Sequence, residues 1–163
     1  MKKITVFILS LLLLFNLVGC GNRQKQEALL NYINVDLAEL SEMETAFTES
    51  YGSVTGDNYT NDYVLYEELT NTTSTLARKL NDKAVELVET IEDEEILEVH
   101  KKYMKFASNN LNAINLILSA VENQDYSQVS LANEKLNEAT TIGIDFRKEL
   151  NSLAEKYNVV IEK

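Results

Sequence analysis

Apolar side chains recur along most of the chain at alternating steps of three and four residues, the spacing that gathers them on one helix face. The first stripe is Leu30, Ile33, Leu37, Leu40, Met43, Phe47 and Tyr51. Gly52, Gly56, Asp57 and Asn58 then break the pattern and predict a loop. A second stripe runs through Tyr66, Leu69, Thr73, Leu76, Leu80, Leu87 and Ile91. The third is Leu97, His100, Met104, Ala107, Leu111, Ile114, Leu118 and Val121. Val129, Ala132, Leu136, Ala139, Gly143, Phe146, Leu150, Leu153 and Tyr157 make the fourth, opened by a capping pair of Asp125 and Gln128.

The border between the second and third stripes carries no Gly or Pro. One helix over 61–122 would be about 93 Å long and would leave its flanks without partners to cover them. Thr90 and Asp93 offer a capping pair instead, and the acids Glu92 to Glu95 suit a helix N-terminus, where the backbone dipole is positive. The pattern thus predicts a turn near 90–94. The expected fold is all-α, an antiparallel up-down four-helix bundle over 27–163 that follows an N-terminal signal helix. The tail from Asn158 is rich in Val and Ile and is expected to pack or fray.

The first residues follow a different logic. Met1-Lys2-Lys3 is a basic start, and Ile4 to Val18 is apolar except for Thr5, Ser10 and Asn16. As a helix this run is about 22 Å long, short of the roughly 30 Å hydrocarbon core of a bilayer. Basic start, apolar stretch and small residues before a cut read as a secretory signal, set apart from the fold. Leu17-Val18-Gly19-Cys20 resembles the lipobox of bacterial lipoproteins in position and in sequence. The resemblance implies cleavage between Gly19 and Cys20 and a diacylglycerol on the Cys20 thiol. Residues 1–19 are then a signal peptide, 20–26 a lipidated cysteine with a short tether, and the domain sits at the extracytoplasmic face of the cell membrane. Two acyl chains suffice for stable anchoring where one is marginal. Abundant Asn, Lys and Ile give the mature chain a further resemblance, in composition alone, to small helical lipoproteins of low-GC Gram-positive bacteria.

Composition narrows the chemistry. The chain has 163 residues with 15 basic and 26 acidic side chains, no Pro, no Trp and a single Cys. A net charge of −11 disfavours nucleic acid as a partner, because phosphate recognition needs a basic footprint. Once Cys20 is lipidated no thiol remains for redox, nucleophilic or metal chemistry. His100 is the only histidine and lies on an apolar stripe, with Leu97 rather than Glu three residues before it, so no Glu-x-x-His metal motif forms. It is expected in the core, and a small enzyme or metal carrier built on it is the weaker alternative. Neither a cofactor nor a catalytic residue is expected.

Two surface features remain. From Glu27 to Glu49 the first helix carries six acids and no Lys or Arg, a face expected to be solvated and partly neutralised by Lys101, Lys102 and Lys105. Tyr51, Tyr59, Tyr63, Tyr66 and Tyr126 would gather at one end of an up-down bundle, beside the long loop Gly52 to Thr60. Tyr combines an apolar ring with a polar tip at low entropic cost, which suits recognition of a protein or cell-wall partner. The competing reading is that these rings plug the bundle's end. The function expected is non-catalytic binding by a tethered module, with a structural or assembly role in an envelope complex as the alternative. Gly143, on the fourth stripe, costs about 1 kcal/mol relative to Ala, which close packing by a neighbour would offset.

Overall fold

A computed structural model describes residues 22–161, and the signal segment with Gly19 and Cys20 lies outside the described residues. Four long helices account for nearly all of the described chain. Helix α1 covers 22–52, α-helical at both ends with a wide π-helical segment at Tyr32–Leu37 between them. Helix α2 covers 62–90 and has its own π-helical segment at Leu69–Thr73. Helix α3 is Glu94–Asn123 and helix α4 is Ser127–Lys156. No strand forms among the described residues. Residues 22–26, assigned to a tether from sequence, are the first helical turn of α1.

Each helix end has a local cause. The α2–α3 turn is Ile91 to Asp93, where the sequence places it. The Asp93 carboxylate accepts from the amides of Glu95 (2.9 Å) and Ile96 (3.1 Å), two of the donors a helix start leaves unpaired. Thr90 instead closes α2, its hydroxyl donating to the Leu87 carbonyl. Asn61 caps α2 by accepting from the Val64 amide. The other end of α3 turns on Gln124, at φ +54°, and the Asp125 amide reaches back to the Ala120 carbonyl. Asn158 does the same for α4 at φ +55°, with the Val159 amide on Ala154. Both are left-handed stops made without glycine. Val159 then packs into the core while Val160 stays in solvent.

Buried side chains from all four helices form one connected core. Most of the α4 stripe is buried as read, namely Ala132, Ala139, Gly143, Phe146, Leu150, Leu153 and Tyr157, while Val129 and Leu136 are half-buried. Gly143 is filled closely, because a Cβ there would lie 3.3 Å from the Phe106 ring. The other stripes are displaced in part. In α1 the inward residues are Leu29 and Tyr32, and Leu30 is exposed. A straight helix would put Tyr32 about 80° round from Leu40, and the π segment adds the residue that brings it into line. In α2, Leu65, Leu69, Thr73 and Ala77 are buried at successive four-residue steps, a drift that the second π segment absorbs. In α3 the buried line runs Ile96, Val99, His100, Tyr103, Ala107, Asn110, Ala113, Ile114, Ile117 and Ala120, with Leu97 and Met104 flanking it. Replacing Asp93 by Ala should lower stability by about 1 kcal/mol in urea melts, and a change of only a few tenths would show that the turn does not depend on this cap.

Candidate functional site

The loop after α1 is built to hold its shape. Gly56 takes φ +59°, a left-handed value that suits glycine, and opens the short 3-10 turn Gly56–Asn58. Side chains tie the loop back to α1: Thr55 donates to the Tyr51 carbonyl and Asn58 to that of Gly52, both at 2.8 Å. Val54 is buried beneath it. The loop delivers Tyr59 beside the first turn of α2, where Asp62 stands.

Asp62 is the centre of the cluster. Its two carboxylate oxygens each accept one tyrosine hydroxyl, Tyr59 at 2.8 Å and Tyr126 at 2.7 Å. These bonds hold the Asp62 carboxyl below its ordinary range, Tyr126 contributing most, and they raise both phenols. Tyr51, Tyr59 and Tyr126 line a pocket of about 330 Å³ with Asp62, over an apolar base of Leu65, Ile117, Val121 and Val129. Tyr51 is half-buried, its ring stacked on Phe47 at 6.3 Å. A second hollow of about 370 Å³ shares Asp62 and Val121 and adds Tyr63, Tyr66 and Glu122. There the Tyr66 hydroxyl donates to Glu122 at 2.7 Å, which raises its pKa. All five tyrosines singled out in the sequence thus border two adjoining hollows.

Their exposure bears on whether they are a plug. Tyr59, Tyr63 and Tyr126 are 48%, 70% and 56% exposed, whereas Val54, Leu65 and Ile117 beneath them are buried. The aliphatic residues close the core, and the rings stand above it. Sequence reasoning missed Asp62, Glu122 and Asn133. The spacing of Tyr59 and Asp62 was a usable signal, but the contact with Tyr126 joins residues 64 apart.

His100 belongs to the core. It is fully buried, and its Nε2 lies 2.7 Å from the Ala84 carbonyl, which can only accept, so Nε2 carries the proton. Nδ1 then accepts from the Tyr32 hydroxyl at 3.1 Å, and neither nitrogen is left for a metal. No group of three or more His, Cys, Asp or Glu among the described residues is placed to hold a metal ion. Tyr32 meets the imidazole edge-on and Tyr103 stacks on it. Burial lowers the His100 pKa, against smaller opposing effects of the Ala84 bond and Asp36.

The acidic face of α1 is neutralised differently from the expectation. Lys83 of α2 pairs with Glu39 at 3.0 Å, while Lys101 pairs with Glu98 and Lys102 with Glu149. The Tyr103 hydroxyl reaches Glu44 at 2.8 Å, on the wall of a groove of about 430 Å³ between α1 and α4. Near the start of α1, Glu95 accepts from Lys25 (2.6 Å), Lys156 and the Tyr157 hydroxyl (2.7 Å). These partners, Lys156 first, hold the Glu95 carboxyl down at about 2. No helix among the described residues is long and apolar enough to cross a membrane.

No protein-family model, curated protein or solved structure matches the chain.

The lowered His100 value sets a pH dependence. As pH falls below 6.5 the unfolded imidazole takes up its proton before the folded one, so stability is full above 6.5 and declines below it. Urea midpoints measured between pH 7.5 and 5.5, above the ordinary Glu value of 4.5, should fall with pH in the natural chain. The slope should flatten in His100→Gln, and an equal slope in both would place the titrating group elsewhere.

Proposed function

We propose that this chain is a lipid-anchored, extracytoplasmic binding module that acts without catalysis, recognising its partner through the Tyr51, Tyr59 and Tyr126 pocket around Asp62. The observation that carries the reading is that pocket. It is concave, apolar at its base, rimmed by exposed aromatic rings and fixed by one carboxylate, the features of a recognition site on a rigid scaffold. Its volume falls in the ~300–1,000 Å³ range of small-molecule sites.

An antiparallel up-down bundle places the pocket far from the N-terminus. Side-chain pairings support that arrangement. Lys25 of α1, Asp93 and Glu95 at the start of α3 and Lys156 at the end of α4 come together. At the other extreme Tyr66 of α2 meets Glu122 at the end of α3, and Asp62 meets Tyr126 just before α4. Lys102 and Glu149 pair between these two extremes. With the lipid on Cys20, the domain stands on the membrane and its pocket faces outward. Tethering then raises the local concentration of the module for anything nearby.

An envelope assembly subunit would need a second apolar stripe to offer another helix. The exposed Leu131 and Ile144 lie about 140° apart around α4, and Val85 is on another helix, so they do not line up as one.

Two experiments test the reading. Cys20→Ser should leave the protein unprocessed or release it from membranes, and normal processing with full membrane retention would refute the anchor. Joint replacement of Tyr59, Tyr63 and Tyr126 by Ala should reduce partner capture, read by in-cell photocrosslinking from the Gly52–Thr60 loop, at least tenfold (about 1.4 kcal/mol). The urea midpoint should move little. Equal loss of capture and of stability would return the rings to a structural role.

A further inference from the structure

Resting on the pocket reading above, we infer that the ligand of this site is an apolar organic cation, its quaternary ammonium group seated among the Tyr51, Tyr59 and Tyr126 rings above Asp62. Hydrogen-bond accounting comes first. The Tyr59 and Tyr126 hydroxyls each have one proton, and both protons are spent on the Asp62 carboxylate. What the two phenols and Asp62 still offer a visitor is lone pairs and one full negative charge. Tyr51 and Asn133 also line the pocket, but a neutral hydroxyl and a neutral amide do not offset the repulsion that a carboxylate or phosphate ligand would meet from the Asp62 charge.

Charge over a wider area points the same way. Residues 26–77 and 106–134 contain no Lys, Arg or His, and every residue lining the pocket comes from these two stretches. Glu122 and Asp62 both border the adjoining hollow. The Asp62 charge therefore has no cation among its lining neighbours, unlike Glu95 at the other extreme of the domain, which is met by two lysines. A cleft lined by one sign of charge with low-dielectric walls concentrates ions of the opposite sign.

Shape and surface select among cations. A metal ion needs several oxygens converging on a point, but Asp62 is the only carboxylate lining the pocket, and the base beneath it is aliphatic. Aromatic faces attract a cation through the ring quadrupole, and quaternary ammonium groups, which carry apolar methyls and lack N–H donors, are the ligands that aromatic cages recognise. Leu65, Ile117 and Val129 would take up the apolar remainder. Tyr offers this while its own proton stays fixed on Asp62, so ring positions are set before the ligand arrives.

The test uses the full chain in detergent, titrated with choline and with its neutral analogue, in which a quaternary carbon replaces the nitrogen. Ionic strength is held constant with sodium chloride, and binding is read by calorimetry and by tyrosine fluorescence, since the chain has no Trp. Choline should bind at least tenfold more tightly than the analogue. Asp62→Asn should remove that preference, and Tyr126→Leu, which removes one ring of the cage together with its hydrogen bond to Asp62, should weaken choline at least fivefold. Equal binding of the two ligands would overturn the cation assignment while leaving the pocket reading intact. So would choline binding unmoved by either substitution. Binding of neither ligand also overturns the assignment, and the photocrosslinking result for the tyrosine variant decides separately whether the pocket reading falls with it. Capture of a lysine-rich peptide without choline binding would reassign the charge complementarity to a basic protein partner.

Discussion

An imidazole buried in the core between two tyrosine rings must have both nitrogens satisfied, and this requirement ties three helices of the domain together. His100 donates to a carbonyl of α2 and accepts from a hydroxyl of α1, while being carried by α3. An unpartnered polar atom at this depth would cost a few kcal/mol, so the three helices are held to one relative register. The wide turn in α1 belongs to the same constraint, because it is what brings Tyr32 round to the imidazole. Tyr103 adds a stacked ring and passes its own hydroxyl to α1, and the Phe146 ring of α4 packs against Tyr103 at 5.1 Å. From one nitrogen-bearing ring outward, every long helix is engaged.

The two extremes of the domain then use their charges in opposite ways. Around Glu95, two lysines and a tyrosine hydroxyl converge on one carboxylate, and the same lysines lie over the Tyr157 ring at 5.6 and 5.2 Å. Charge is consumed internally there. Around Asp62 the partners are neutral phenols, which orient the carboxylate but leave its charge in place. A surface ion pair adds little stability on its own, so the contrast says more about availability than about energetics. The Glu95 charge is neutralised where it stands, and the Asp62 charge is not.

Much of this was legible in the sequence. Helix content, the α2–α3 turn at Asp93 and most of the inward face of α4 follow from three-and-four spacing and from capping chemistry. In α1 and α2 this is true only in part: Leu40, Phe47, Leu69, Thr73, Leu80 and Leu87 are buried as read. Leu29, Tyr32, Leu65 and Ala77 were missed, because a periodicity argument assumes a constant number of residues per turn and each helix contains one wide turn. The centre of α3 was also misplaced, since half-buried Leu97, Met104, Leu111 and Leu118 continue an apolar series while the buried line beside it passes through the polar Asn110. For the site, grouping the five tyrosines required only the order of helices. Identifying Asp62 as the shared acceptor of Tyr59 and Tyr126 required knowing which of many acids meets Tyr126 across the fold, and composition holds no such information. The neutralising role given to Lys101 and Lys102 failed for a related reason: each found an acid on its own or the adjacent helix.

The clasp around Glu95 has a mechanical consequence. Lys25 lies in the first turns of the first helix, so a pull on the chain from its N-terminal side meets these ion pairs before it can peel that helix away. Through Glu95 and Asp93 the load passes at once to the start of α3, and through the shared carboxylate to the end of α4. Force applied there is shared among α1, α3 and α4 through one carboxylate, whereas the Tyr59–Asp62–Tyr126 cluster is held by hydrogen bonds of its own.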